Sequence, residues 1–137
     1  MNAGTLLFVI GAIVIAPVMI RIMTSRSSIG SPLFAGILFA VFTGFSLYTI
    51  KQEGVMAVVA NHSMNLWGTQ VWYDLLISVS LALFFILPRA RAAGMKPLPR
   101  VLFVAATASI GLLAMVARLW WLENNHGATA INPVENA

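Results

Sequence analysis

Four apolar stretches, separated by short polar links, dominate the pattern of the chain. They occupy residues 5–23, 32–50, 69–88 and 100–122. Each is close to the ~20 residues that an α-helix needs to cross a hydrocarbon core about 30 Å thick. The pattern therefore predicts an all-α integral membrane protein. We expect one domain, a four-helix transmembrane bundle, with a polar tail over residues 124–137.

Basic residues are concentrated in alternate links. Arg21 and Arg26 lie at and just beyond the end of the first stretch. Arg89, Arg91, Lys96 and Arg100 extend from the end of the third to the start of the fourth, so six of the eight Lys and Arg residues fall in or at the edges of these two links. Basic links favour the cytoplasmic side of a membrane. The distribution predicts a multi-pass protein of the bacterial inner membrane with both termini outside, an N-out/C-out topology.

All Trp and Tyr residues fall at ends of stretches that this orientation places outside. Amphipathic rings favour the headgroup layer, so the set predicts an outer aromatic belt. An aromatic-lined pocket on that side is the alternative. The belt consists of Tyr48, Trp67, Trp72, Tyr73, Trp120 and Trp121.

Composition narrows the function classes. The chain is 60% hydrophobic and 9% charged, against ~25% charged residues in ordinary soluble domains. It has no cysteine, which excludes disulfides, thiolate metal sites and cysteine nucleophiles. The net charge of +4 lies at membrane edges, so its partner is the lipid bilayer and not nucleic acid.

The second link, residues 51–70, is the longest and least regular. Its apolar segment, residues 55–60, is too short to cross a membrane and predicts a short interfacial helix. Polar residues nearby form a candidate outer cluster of Asn61, His62, Gln70 and Ser78. Before the second stretch, Ser31-Pro32 predicts a helix N-cap followed by proline at the first helical position.

Small residues at steps of four predict close helix packing. Gly36, Ala40 and Gly44 form one such stripe on the second helix, facing another helix of this chain or of a partner. Gly111 and Ala114 belong to a similar face of the fourth helix.

Asp74 is the acidic residue inside a predicted span, where a carboxylate needs a partner or water. Arg118 lies at a similar predicted depth in the fourth helix. Face matching of these two antiparallel helices predicts an intramembrane Asp74–Arg118 ion pair. The alternative is that Arg118 extends to the headgroups while Asp74 meets water.

The sequence contains no recognisable catalytic constellation and favours a non-enzymatic role. Asp74 has no second carboxylate within a span for acid–base work, and no polar path crosses the membrane, which argues against a small transporter. His62 and His126, in a loop and a tail, do not form facing haem ligands, and we expect no metal site. No cofactor is predicted; a bound lipid, quinone or carotenoid stays open.

Residues 65–123 carry a family resemblance. The elements are Gln70-Val71, the run Asp74-Leu75-Leu76-Ile77-Ser78, and the basic segment 89–96 before a helix rich in small residues. This stretch resembles a family of small bacterial four-helix membrane proteins catalogued as a domain of unknown function. The resemblance implies the four-helix topology and a site at Asp74, and implies no reaction.

Taken together, these features predict a protein that acts by association. We expect an accessory or structural subunit of a larger bacterial inner-membrane complex, in contact with other membrane-protein subunits or with copies of itself. The alternative is binding or conversion of a lipid-like molecule, a terpenoid or quinone. That molecule would sit in an outer-leaflet cavity lined by Asp74, Asn61, His62 and the tryptophans.

Overall fold

The computed structural model describes residues 2–27 and 30–131, without the side chains of residues 3 and 126–131. The described residues form six helices and no strand, which confirms the all-α prediction. In chain order the helices are α1 (Ala3–Thr24), α2 (Pro32–Glu53), α3 (Ala57–Ser63), α4 (Leu66–Ala92), α5 (Pro97–Thr107) and α6 (Ser109–Ile131).

Three of these helices are long and apolar enough to cross a membrane. They are α1 over Gly4–Thr24, α2 and α4, with 21, 22 and 27 residues respectively. At 1.5 Å per residue, each matches or exceeds a hydrocarbon core of about 30 Å. These helices indicate a membrane protein.

Side-chain caps begin all three long helices. The backbone N–H of Thr5 donates to Asn2 Oδ1 at 2.8 Å, and that of Gly68 donates to Asn65 Oδ1 at 2.8 Å. Ser31 Oγ accepts from the Phe34 N–H at 3.2 Å, with Pro32 as the first helical residue, so this predicted cap is confirmed. Each cap satisfies a backbone donor that the first turn leaves unpaired.

The chain divides into two compact units, Met1–Gly30 and Ser31–Ala137. In the first unit, α1 continues through Pro17, and its described side chains are exposed apart from a half-buried Val18. In the second unit, α2 packs most extensively against α6, while α3 packs against α4. An apolar core of Ala90, Met95, Val104, Met115 and Leu119 joins the end of α4 to α5 and α6.

The predicted fourth helix is two helices. Its apolar run is interrupted at Ala108, whose φ of 48° lies in the left-handed region. The chain reverses there, and α6 packs back along α5. Close approach requires Gly111, because a Cβ at this position would lie 2.7 Å from the Val104 Cα. The single span over 100–122 is therefore wrong: α5 and α6 form a helical hairpin.

Other predicted boundaries also shift. The segment predicted to be a short interfacial helix forms helix α3, which begins two residues later than expected and includes His62. Helix α6 continues past residue 124, so the predicted polar tail is helical as far as Ile131. Residues 132–137 of that tail lie outside the described residues.

Candidate functional site

The ion pair between α4 and α6 joins residues other than the predicted ones. Arg89 Nε donates to Glu123 Oε1 at 2.9 Å, and Arg89 Nη2 donates to Glu123 Oε2 at 2.7 Å. This is a two-point guanidinium–carboxylate contact, the geometry in which arginine binds carboxylates most strongly. It is the one salt bridge among the described residues.

Asp74 and Arg118 are not brought together. Asp74 is exposed on α4 and makes no ion pair or hydrogen bond within the described part of the chain. The Arg118 guanidinium instead lies 4.5 Å from the centre of the Trp121 ring, a cation–π contact. In place of the predicted ion pair, Asp74 is exposed and Arg118 contacts Trp121.

The physical reason is the turn at Ala108. A straight helix over 100–122 would carry Glu123 to the far end of α4, away from Arg89. Since α6 returns along α5, Glu123 reaches Arg89 instead. Asp74 lies fifteen residues before Arg89 on α4, about 22 Å along the axis, whereas Arg118 lies five residues before Glu123, about 8 Å.

The same turn divides the predicted aromatic belt. Trp67, Trp72 and Tyr73 lie in the first turns of α4, far from Arg89. Trp120 and Trp121 come three and two residues before Glu123 and so lie close to the Arg89 end. Within the second unit, the α4 and α6 rings therefore occupy opposite ends of α4 and do not form one belt.

The small-residue stripe of α2 does not pack closely against another helix of the second unit. Gly36 is half-buried, Ala40 and Gly44 are exposed, and a Cβ at either glycine would meet no atom within 4 Å. Ala35 is the buried residue of α2. On α6, Gly111 is buried against α5 and Ala114 is half-buried.

The predicted outer polar cluster separates into two groups. Asn61 and His62 lie on α3, while Gln70 and Ser78 lie on α4 one turn either side of Asp74. Gln70, Asp74 and Ser78 are all exposed and share one face of α4, because they are spaced at steps of four. We call these three residues the α4 polar stripe.

His62 belongs to a groove between α3 and α4. Its Nδ1 lies 2.7 Å from the Val58 carbonyl oxygen, and its ring meets the Trp72 ring edge-on, with centroids 5.5 Å apart. The groove has a volume of about 270 Å³ and is lined by Val58, Val59, His62, Ser63 and Trp72. It includes two of the residues expected around a ligand cavity, His62 and Trp72, but neither Asp74 nor Asn61.

Close contact between α3 and α4 shapes the groove. The Thr69 hydroxyl donates to the His62 carbonyl oxygen at 3.2 Å. A Cβ at Gly68 would overlap the Asn61 carbonyl oxygen, so glycine is needed where the two helices meet. Sequence reasoning missed this role of Gly68, although a glycine three residues after an Asn cap was a visible signal.

No group of three or more His, Cys, Asp or Glu side chains that could hold a metal ion occurs among the described residues. The side chain of His126 lies outside that part of the chain.

No family model matches the chain, and neither a curated protein nor a solved structure matches it. The resemblance to a family of small bacterial four-helix membrane proteins is therefore wrong. Its motif residues, including Asp74, carry no family assignment.

Proposed function

We propose that this protein acts by association within a membrane, as an accessory or structural subunit of a larger bacterial inner-membrane complex. Its long helices leave large apolar side chains exposed along their length, which suits lipid and neighbouring helices alike. The core of the second unit lies towards the Arg89 end of α4, and the face that carries Gln70, Asp74 and Ser78 is exposed and available to a partner.

The observation that carries this proposal is the α4 polar stripe. A carboxylate on a spanning helix costs up to ~2.5–3.5 kcal/mol at the membrane centre, less towards the edge, unless it is paired or hydrated. Asp74 has no partner among the described residues, and Gln70 and Ser78 extend its polar face. A helix from another chain that carries a basic or hydrogen-bonding side chain would satisfy this face.

The proposed topology keeps the basic links in the cytoplasm and the N-terminus outside. It differs from the four-span expectation at the C-terminal end of α6. Because Glu123 binds Arg89, the end of α6 lies beside the basic link and, in the proposed topology, shares its cytoplasmic side. Trp120 and Trp121 then contact the inner headgroup layer, and Trp67 and Trp72 the outer one.

Photo-cross-linking in intact membranes tests the association. A photoreactive residue at Ser78, on the polar stripe, should capture a protein, because Ser78 shares its face with Asp74. The matched control is Leu76, an exposed α4 residue about 160° around the helix from Asp74. Mass spectrometry of the adduct distinguishes another subunit from a second copy of this chain.

Asp74→Asn should reduce the Ser78 adduct at least fivefold, since it removes the charge that the partner neutralises. Glu53→Gln, which neutralises an exposed acid at the end of α2, should leave the yield unchanged. Protein adducts of equal yield from Ser78 and Leu76, or adducts with lipid alone, would exclude the proposal.

A further inference from the structure

The hydrogen bond of His62 fixes which of its ring nitrogens carries a proton. Nδ1 lies 2.7 Å from the Val58 carbonyl oxygen, and a carbonyl oxygen only accepts. Nδ1 must therefore donate in this contact. In the neutral ring, Nε2 is then an unprotonated acceptor.

This acceptor has no partner among the described residues. The other polar side chain of the groove, Ser63, already donates its hydroxyl proton to the Val59 carbonyl oxygen at 2.7 Å. His62 Nε2 is thus an unused acceptor in an otherwise largely apolar groove.

The surroundings of the groove restrict the ligand further. A volume of about 270 Å³ is just below the 300–1,000 Å³ of typical pockets for whole small molecules, so it suits a head group. Val58 and Val59 are exposed apolar residues on one wall, and Trp72 lies within the first two turns of the spanning helix α4. An apolar tail could continue from the groove along these surfaces into lipid.

We propose that the groove between α3 and α4 binds the head group of a lipid-like molecule that carries a hydroxyl donor, with the hydroxyl bonded to His62 Nε2. The head group packs against Trp72, and the tail lies in the outer leaflet. Two sources share this chemistry: isoprenoid alcohols and hydroquinones. A quinone or an ester lacks the donor and is bound less well. This inference is independent of the association through Asp74.

Two matched probe pairs test the donor requirement. Farnesol is compared with farnesyl methyl ether, and decylhydroquinone with decylquinone. Binding is measured by titration into the full-length protein in lipid nanodiscs. A hydrogen bond of ordinary strength corresponds to roughly a three- to tenfold preference for the hydroxylated member of a pair. If only farnesol is preferred over its partner, the ligand is assigned as an isoprenoid alcohol. If only decylhydroquinone is preferred over its partner, the ligand is assigned as a hydroquinone.

Variants then assign the preference to Nε2. His62→Phe keeps a ring but removes the acceptor, so it should abolish the preference. Ser80→Ala removes a hydroxyl from α4 outside the groove, one that donates to the Leu76 carbonyl oxygen at 2.7 Å, and should retain the preference. The ¹⁵N resonance of His62 Nε2 is identified by its absence from the spectrum of His62→Gln. In the wild-type protein this resonance should shift when farnesol is added and should not shift with farnesyl methyl ether.

Circular dichroism verifies that the variants are folded. The ¹⁵N shift of His62 Nε2 in the wild-type protein tests the hydrogen bond without relying on the binding of a variant. Equal affinity for both members of each pair in the wild-type protein would overturn the proposal. An unchanged preference in His62→Phe, or a ¹⁵N signal of protonated Nε2 with unprotonated Nδ1, would overturn it equally.

Discussion

Gly111→Ala should weaken the α5–α6 hairpin, because the new methyl group meets backbone. The added Cβ would lie 2.7 Å from the Cα and N of Val104 and 2.8 Å from the Phe103 carbonyl oxygen. Ordinary contact begins at 3.4 Å, so the helices must separate by about 0.7 Å (3.4 − 2.7). Overpacking of this kind costs ~1–3 kcal/mol. The better helix propensity of alanine returns roughly 1 kcal/mol, leaving a net loss of about 0–2 kcal/mol.

The matched control is Gly44→Ala on α2. This glycine is also inside a helix, but its added Cβ would meet no atom within 4 Å. Alanine there should stabilise the protein by up to ~1 kcal/mol through helix propensity alone. Equilibrium unfolding in mixed detergent micelles, followed by circular dichroism, compares both variants with the wild type. If Gly111→Ala is as stable as Gly44→Ala, the close approach of α5 and α6 is refuted.

Three further predictions follow from the same region. Ala108→Gly should stabilise the protein by roughly 0.5–1 kcal/mol in the same unfolding assay, because glycine adopts the φ of 48° without steric cost; a loss of stability would contradict this turn. Arg89→Ala and Glu123→Ala should show a coupling energy of about 1 kcal/mol in a double-mutant cycle, and purely additive losses would exclude their direct contact. Single cysteines at Ala92 and Asn124 should react with an impermeant thiol reagent from the same side of the membrane, whereas labelling from opposite sides would restore a fourth span.

Apolar length and local capping residues were sufficient to predict the long helices. The stretches over 5–23, 32–50 and 69–88 correspond to α1, α2 and α4, and Ser31 caps α2 as expected. Both signals are local, so a single sequence contains them. A run of apolar residues indicates a segment that lies in lipid or in a protein core, but it does not indicate where the chain reverses direction.

The break at Ala108 lacked such a signal. The residues around it, Thr107-Ala108-Ser109, contain neither glycine nor proline, and the apolar pattern continues across them. Its stabilising contacts are tertiary, above all Gly111 against Val104. Because the break was missed, Arg118 was assigned to the wrong end of α4, and the partnership of Arg89 with Glu123 could not be foreseen.

The packing of α2 on α6 has a consequence for biosynthesis. The end of α2 at Glu53 and the start of α6 at Ser109 are 56 residues apart (109 − 53). At ~5–20 residues per second, α2 leaves the ribosome roughly 3–11 s before its main packing partner. During this interval the Ala35 face of α2 is open to lipid, insertase or chaperone. Nascent chains arrested before α6 should therefore be recognised by membrane quality control, whereas chains that have released α6 should escape it.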